Sequence, residues 1–506
     1  MAESRPVAAP GTNPRIGWRQ DALAALLLFA LVWIVYTRAP LIIVYDSSYA
    51  LLTSEQVYRH GDLRLEGYFP HLQPAAGRGE TWRIEPSDYR LAWIDGHLYA
   101  YHPPGSSLLS VAFIPVFHAF GYSPVGADGG HDWAMERDLQ GILAALLTSL
   151  FALLVFLLAR EILPLGWSVF ISLAMAFGTT ALSAASRGLW SHTWGILLLA
   201  AAVLICWKRM DRGWTALEAV LVATLLSWCF LVRPTFALSA GGIALLAALK
   251  RVRYWWILPL AGLTWFALFA VYFRTQFGDW LPAYFFASRL QLATFPEALA
   301  GNLISPARGL LIFTPGLVCW IYFGAAYRRH LPRRGWMALA GGLVLAHWTL
   351  ISISSHAGWW GGHSYGPRLM TDVLPWVALL GILSTRAWLD ASQPSRLRRL
   401  QLAVLLLLWT ASAAIHLAGA SCRQTQLWNV HPSDVDHHPH RLWDWSDPPF
   451  LRPLVGEVEQ GHRVQCVKGV EPPCCVIPRF QRPGLCRPEP RVAPPSRLRS
   501  PGLTLG

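Results

Sequence analysis

Charge is scarce in this chain. Only 14% of its 506 residues are Asp, Glu, Lys or Arg, against 54% hydrophobic. No Gly-rich loop of the P-loop or dinucleotide type occurs. That removes the usual backbone cradle for a nucleotide's phosphates and makes nucleotide-dependent chemistry unexpected. There is no His-Glu-x-x-His and no paired-cysteine spacing, so a zinc centre has little support. No small-residue cleavage site follows the first apolar run, which is therefore expected to be kept as a span. No internal repeat is evident. Acidic residues are outnumbered, giving a net charge of +13. This is not a nucleic-acid signature, because the Lys and Arg are spread over short loops between apolar runs.

What the chain has instead is length in apolar runs. The mean hydropathy is +0.36, and runs of about 17–20 apolar residues recur, as in a polytopic helical membrane protein. Expected spans are 22–37, 139–158, 166–184, 192–208, 214–232, 235–249, 254–273, 309–325, 335–354, 370–386 and 400–419, about eleven. A further stretch, 105–122, is apolar but opens on Gly105-Ser106-Ser107 and contains Pro115. If it does not cross, Arg160, Lys208-Arg209, Lys250-Arg251, Arg328-Arg329 and Arg398-Arg399 all fall in the cytoplasm. If it does, all move outside, against the positive-inside bias. The first arrangement is expected. It makes 1–20 cytoplasmic, 21–420 a transmembrane domain with an outer loop at 37–137, and 421–506 an extracytoplasmic segment, disordered beyond about 452. Cys206, Cys229 and Cys319 lie in apolar runs as core residues. Cys422, Cys466, Cys474, Cys475 and Cys486 follow the last run.

This topology gathers the unusual residues on the outer face. The first is Asp46, in Tyr45-Asp46-Ser47-Ser48-Tyr49 just beyond the first span. It is either a helix cap or, as an ionisable group at the membrane boundary, a functional one. His60-Gly61-Asp62 and then Tyr99-Ala100-Tyr101-His102-Pro103-Pro104-Gly105 follow. This order resembles the first extracytoplasmic loop of GT-C glycosyltransferases. Those are integral membrane enzymes that use polyprenyl-phosphate sugars, among them the protein O-mannosyltransferases and the lipid A aminoarabinose transferases. The resemblance implies an all-α polytopic fold with juxtamembrane helices in the first outer loop. It implies Asp46 as the base and an Arg opening the next span, here Arg137. Family members commonly carry a second carboxylate after the first. Here Ser47 follows, so the metal is left open: no cofactor is certain, and a divalent metal stays possible.

Other outer residues fit the same chemistry, each beside a plainer reading. Arg137 either meets phosphate or anchors its helix at the interface. His192, opening a span, contacts substrate or is structural. Arg233 sits outside against the positive-inside bias, and an anionic lipid phosphate would explain it. Arg308 anchors at the interface or meets lipid phosphate. The stretch His356 to Arg368 holds Trp359-Trp360-Gly361-Gly362-His363. Its indoles offer flat faces to a sugar, its glycines let backbone approach a ligand, and Arg368 offers a cation to phosphate. The plainer reading is an aromatic belt with a Gly-rich turn.

The expectation is a multi-pass protein of a bacterial inner membrane whose site faces outward. It would move a sugar from a polyprenyl-phosphate carrier to a lipid, glycan or protein acceptor, with inversion. Partners are the lipid-linked donor, the acceptor and the bilayer, with no nucleic acid. A transporter or flippase of lipid-linked sugars is the alternative, and an outer-face ligase or acyl transferase the third reading.

Overall fold

The computed structural model describes residues 14–72, 83–285, 292–353 and 358–454. His356, the four cysteines Cys466 to Cys486 and the expected disorder of the tail lie outside them. The described chain is mostly helical. Among the described residues seven helices are long and apolar enough to cross a membrane: Trp18–Arg38, Trp133–Arg160, Ser191–Arg209, Ile257–Phe277, Arg334–Ile353, Arg368–Asp390 and Ser395–Ser421. The expected span 166–184 is a pair, Leu165–Phe177 and Thr180–Arg187, bent by 41°. The break falls where Thr179 caps the second piece by accepting from Ala181 N–H. Ala216–Val232, Pro234–Leu249 and Leu317–Ala326 are shorter apolar helices. All eleven expected segments are thus helical, but three fall short of a full crossing length.

Burial separates the helices. The window in Arg368–Asp390 is 83% buried and that in Trp133–Arg160 67%, while Trp18–Arg38 reaches 17%. The outer helices expose leucine stripes, such as Leu23, Leu26 and Leu27, or Leu260 and Leu263. A water-facing helix would carry polar residues there; a lipid-facing one is stabilised by those leucines.

Ion pairs mark one end of the bundle. Arg160 meets Asp21, Lys208 meets Glu161, Arg209 meets Glu218, and Lys250 meets Asp211. At the opposite end, Glu136 accepts from Leu51 N–H and Gln140 donates to the Ser47 carbonyl. So the chain leaves the first helix and enters Trp133–Arg160 at the same end. Between them the 105–122 stretch is three short turns, Gly105–Ser110, Val111–Phe113 and Ile114–Ala119. They span roughly 22 Å at 1.5 Å per residue, against about 30 Å of hydrocarbon. Single cysteines at Asp95 and Asp128 are therefore expected to react with an impermeant maleimide from one side, and one at Arg212 from the other. Labelling of the first two from opposite sides would place a crossing in 105–119.

The stretch between the first helix and Trp133–Arg160 is not wholly helical. Arg83–Glu85, Asp88–Ile94 and His97–Ala100 form a three-stranded antiparallel sheet. Asp95-Gly96 makes the second turn, both with positive φ (49° and 84°), as a two-residue hairpin requires. One face of the sheet packs Leu91, Trp93 and Leu98 against Tyr49 and Phe69.

Candidate active site

The approach to Asp46 is held rigidly. Arg187 is buried and donates to the carbonyls of Tyr36, Ala39 and Leu41, the unpaired acceptors where the first helix ends. A guanidinium there also suits the negative end of the helix dipole. Ile43 then pairs with the Arg187 carbonyl, and the Trp190 indole donates to the Ile43 carbonyl. Gly188 allows this: a Cβ there would lie 2.3 Å from the Ile43 carbonyl oxygen.

Asp46 does not cap the helix after it. Helix Ala50–His60 has Tyr49 at its N-cap position with no side-chain cap. Its first amides, Leu51 and Leu52, donate to Glu136 Oε1 instead. Asp46 is half-buried and takes side-chain donors: Arg368 Nη1 at 2.8 Å and the Tyr89 hydroxyl at 3.3 Å. His102 Nε2 lies 3.9 Å away. Burial alone pushes the Asp46 carboxyl up. The nearby Arg368, then His102 and Arg233, outweigh that and hold it down to about 2. Burial and the Asp46 charge push the Tyr89 phenol up, which keeps it a neutral donor.

Asp46, His102, Arg90, Trp190, Arg233 and Tyr284 line one recess. Pro103-Pro104-Gly105 brings His102 there. A Cβ at Gly105 would collide with the Leu231 and Val232 backbone, so the loop sits directly on the turn that carries Arg233. The recess holds about 50 Å³, well below the roughly 300–1,000 Å³ of a ligand pocket. Ligand entry therefore requires the side chains around it to part.

Behind the recess lies a second carboxylate, Asp372, 2% exposed. It accepts from Arg233 Nε at 2.7 Å and Thr235 Oγ1 at 2.7 Å, and His192 Nδ1 lies 2.6 Å from it. This revises two expectations. Arg233 needs no lipid phosphate to explain its place, because Asp372 is its counter-ion, although it still lines the recess. His192 is buried against Asp372 and does not line it.

The Trp-Gly-Gly-His loop forms an outer layer. Arg368 stacks over the Trp190 ring at 4.3 Å and donates through Nη2 to the Gly361 carbonyl. Trp359 is buried: Gly301 leaves the space its ring fills, and it packs with Trp428 and Val435. It offers no face to a sugar. Trp360 donates its indole N–H to Asp436, and His363 faces Asp434 and Asp436. Arg308 is buried and donates to Asn429 and to the Trp360 and Gly362 carbonyls, a strut rather than a lipid anchor. Arg137 pairs with Asp138, lies over Trp133 and is not among the residues lining the recess. In that turn it is Glu136 that faces inward.

Residues 362–366 read Gly-His-Ser-Tyr-Gly, the spacing of an acyl-transfer nucleophile elbow. The context differs: among the described residues no strand leads into them, and the buried Ser364 donates to the Trp360 carbonyl.

Sequence reasoning missed Tyr89 and Arg90. Arg90 is bidentate to Asp88 and donates to Ser48. The Asp95-Gly96 turn was the available signal, since it fixes the strand that presents both.

No family model matches the chain, and no curated protein matches it. Solved structures do. ArnT from Cupriavidus metallidurans, in the apo state, aligns with 15% identity and a TM-score of 0.46, over 83% of this chain and 66% of ArnT. The oligosaccharyltransferase of Archaeoglobus fulgidus aligns with 12% identity and a TM-score of 0.43, over 85% of this chain and 60% of the enzyme in its apo form. The present chain spans two thirds or less of the length of these chains. A further structure of the archaeal enzyme, AglB, holds an inhibitory peptide and a dolichol-phosphate.

Proposed function

We propose that the protein is a membrane glycosyltransferase of the GT-C kind. It transfers a sugar from a polyprenyl-phosphate carrier to an acceptor hydroxyl at the Asp46 end of the bundle, the extracytoplasmic face. The observation that carries this reading is the recess itself: one ionised carboxylate encircled by His102, Arg233 and Arg368. A base must be deprotonated and within reach of the acceptor; Asp46 is ionised and lines the recess that would receive it. A phosphate leaving group needs fixed positive charge, and the two guanidiniums supply it.

An apolar groove of about 470 Å³ supports a lipid carrier. It lies between Ala216–Val232, Pro234–Leu249 and Ile257–Phe277, lined by Phe230, Gly241, Gly262 and Phe266 among others. Phe230 is three residues before Arg233 and packs on Phe285, next to the recess residue Tyr284. A polyprenyl chain in the groove thus brings its phosphate to Arg233.

The step is a direct displacement. The acceptor oxygen attacks C1 while its proton passes to Asp46, and the C1–O bond to the phosphate breaks with inversion. The departing phosphate keeps the electron pair and needs no proton. Arg368 is spent on Asp46 before the donor arrives, so donor phosphate must draw it away. Asp372 and His192 hold Arg233 in place and take no part in the chemistry.

A transporter would need a polar path along its spans. The buried His416 is instead closed off between helices, paired with Ser183 and Thr314. The direct test is transfer of labelled sugar from a panel of polyprenyl-phosphate donors in membranes carrying the protein. Transfer that appears with the parent and not with Asp46→Asn supports the reading. Donor movement across the bilayer without transfer overturns it. Arg368→Ala is expected to weaken donor binding by about 2–3 kcal/mol, roughly 30- to 150-fold in Kd, with acceptor affinity less affected. Unchanged donor affinity would leave Arg368 as the partner of Asp46 alone.

A further inference from the structure

A second cluster lies at the outer loop, apart from the recess. His363, Asp434 and Asp436 bring one nitrogen and two oxygens within 4.8 Å of one another. His363 Nε2 stands 3.0 Å from Asp434 Oδ2 and 3.5 Å from Asp436 Oδ2. Ligands on a tetrahedral cation with bonds of about 2.0–2.2 Å sit roughly 3.3–3.6 Å apart; the Asp436 spacing falls in that range, and the Asp434 spacing needs to open by only a few tenths of an ångström.

Two further observations point to a ligand. First, His363 Nε2 is shielded from solvent and has no hydrogen-bond partner of good geometry, though two carboxylates flank it. Second, each carboxylate is steered. Asp434 Oδ1 accepts from Asp436 N–H at 2.8 Å, and Asp436 Oδ1 accepts from the Trp360 indole at 2.6 Å. Both remaining oxygens, the Oδ2 atoms, face the imidazole. Outer donors that tie one oxygen and aim the other are how metal sites orient their carboxylates.

We propose that His363, Asp434 and Asp436 bind a divalent first-row transition cation, Zn²⁺ or Mn²⁺, with water completing the shell. An imidazole with two carboxylates suits these ions better than Ca²⁺ or Mg²⁺, which take oxygen. The cation staples the 358–368 loop to the segment after Ser421. Gly361, two residues from His363, holds Arg368 through its carbonyl, and Gly362 is held by Arg308. The site therefore positions Arg368 without contacting substrate.

The test uses the full-length protein, stripped with EDTA, reloaded with Zn²⁺ or Mn²⁺ and washed. Elemental analysis and thermal unfolding are the readouts, so the result stands whatever the fate of the transferase reading. Cys466, Cys474, Cys475 and Cys486 are potential thiolate ligands, so a variant with serine at all four runs in parallel. One equivalent of metal and an upward shift in Tm are expected in the parent and in the serine variant. Both effects should vanish in His363→Ala and Asp436→Asn, and Trp360→Phe should weaken binding about 10–100-fold. Asp436→Asn is nearly isosteric, which guards against a folding defect in the histidine variant. Absence of metal and of any Tm shift in the parent overturns the proposal. So does metal that survives in both ligand variants and is lost with the four cysteines or with Asp46→Asn.

Discussion

Asp46→Asn is expected to lower transfer about 10²–10⁴-fold, the span a general base contributes, while the protein still folds and binds donor. Asn keeps the shape and one oxygen for Arg368 but takes no proton. A helix cap would tolerate this change, because Asp and Asn rank about equally there. Here the cap role is already filled by Glu136. Near-full activity in purified Asp46→Asn would remove Asp46 as the base. The next outer carboxylates along the chain are poor replacements. Glu55 is buried and engaged by Arg59 and His118, and Asp62 accepts from Gln56.

The ionisation of Asp46 adds a test in pH. In the free protein its carboxyl sits near 2, below the ordinary carboxylate value, so it is ionised throughout the usual assay range. Its share of stability from the Arg368 pair is present above about pH 4 and lost as pH falls towards 2. Donor phosphate that draws Arg368 away removes the largest force holding the carboxyl down, and burial then pushes it up. The acid limb of kcat, which reports the bound complex, should therefore lie at higher pH than the acid limb of kcat/KM, which reports the free enzyme. Coincident limbs would mean that Arg368 stays on Asp46 through the reaction.

Much of this was legible beforehand, for definite reasons. Lipid demands long apolar helices, so the segments announced themselves by composition, and the spread of Arg and Lys set which ends fall together. Asp46 and His102 were legible because a charge and a Pro-Pro-Gly turn stand out at a membrane boundary. What a sequence does not print is which charges meet. Arg233 looked unpaired until the fold brought Asp372, 139 residues on, against it. Trp359 looked like a sugar platform until Gly301 and Trp428 closed over it. Arg368 and Asp46, separated by 322 residues, are one ion pair. The outer sheet was within reach, since Asp95-Gly96 between Leu-Ala-Trp-Ile and His-Leu-Tyr-Ala is a hairpin pattern.

Asp372→Ala should be the most damaging single change to the fold. Asp372 is 2% exposed and Arg233 13%. Removing the carboxylate leaves a guanidinium shielded from water without its hydrogen-bonded counter-ion, with only the more distant Asp46 charge near it. It also strips the partners from Thr235 and His192. Breaking a buried pair in this way costs about 3–5 kcal/mol, whereas replacing both members by uncharged groups of similar size is often near neutral. Folded yield and Tm in detergent should therefore fall sharply in Asp372→Ala and recover in large part in the double variant Arg233→Met with Asp372→Asn. Asn still gives Thr235 an acceptor, and Met keeps the apolar stem. A double variant no better than Asp372→Ala would mean that the hydrogen bonds of Asp372, not its charge on Arg233, hold this region. The same protein decides what Arg233 does. If it receives donor phosphate, the refolded double variant binds donor weakly. If it serves only Asp372, donor affinity returns along with the fold.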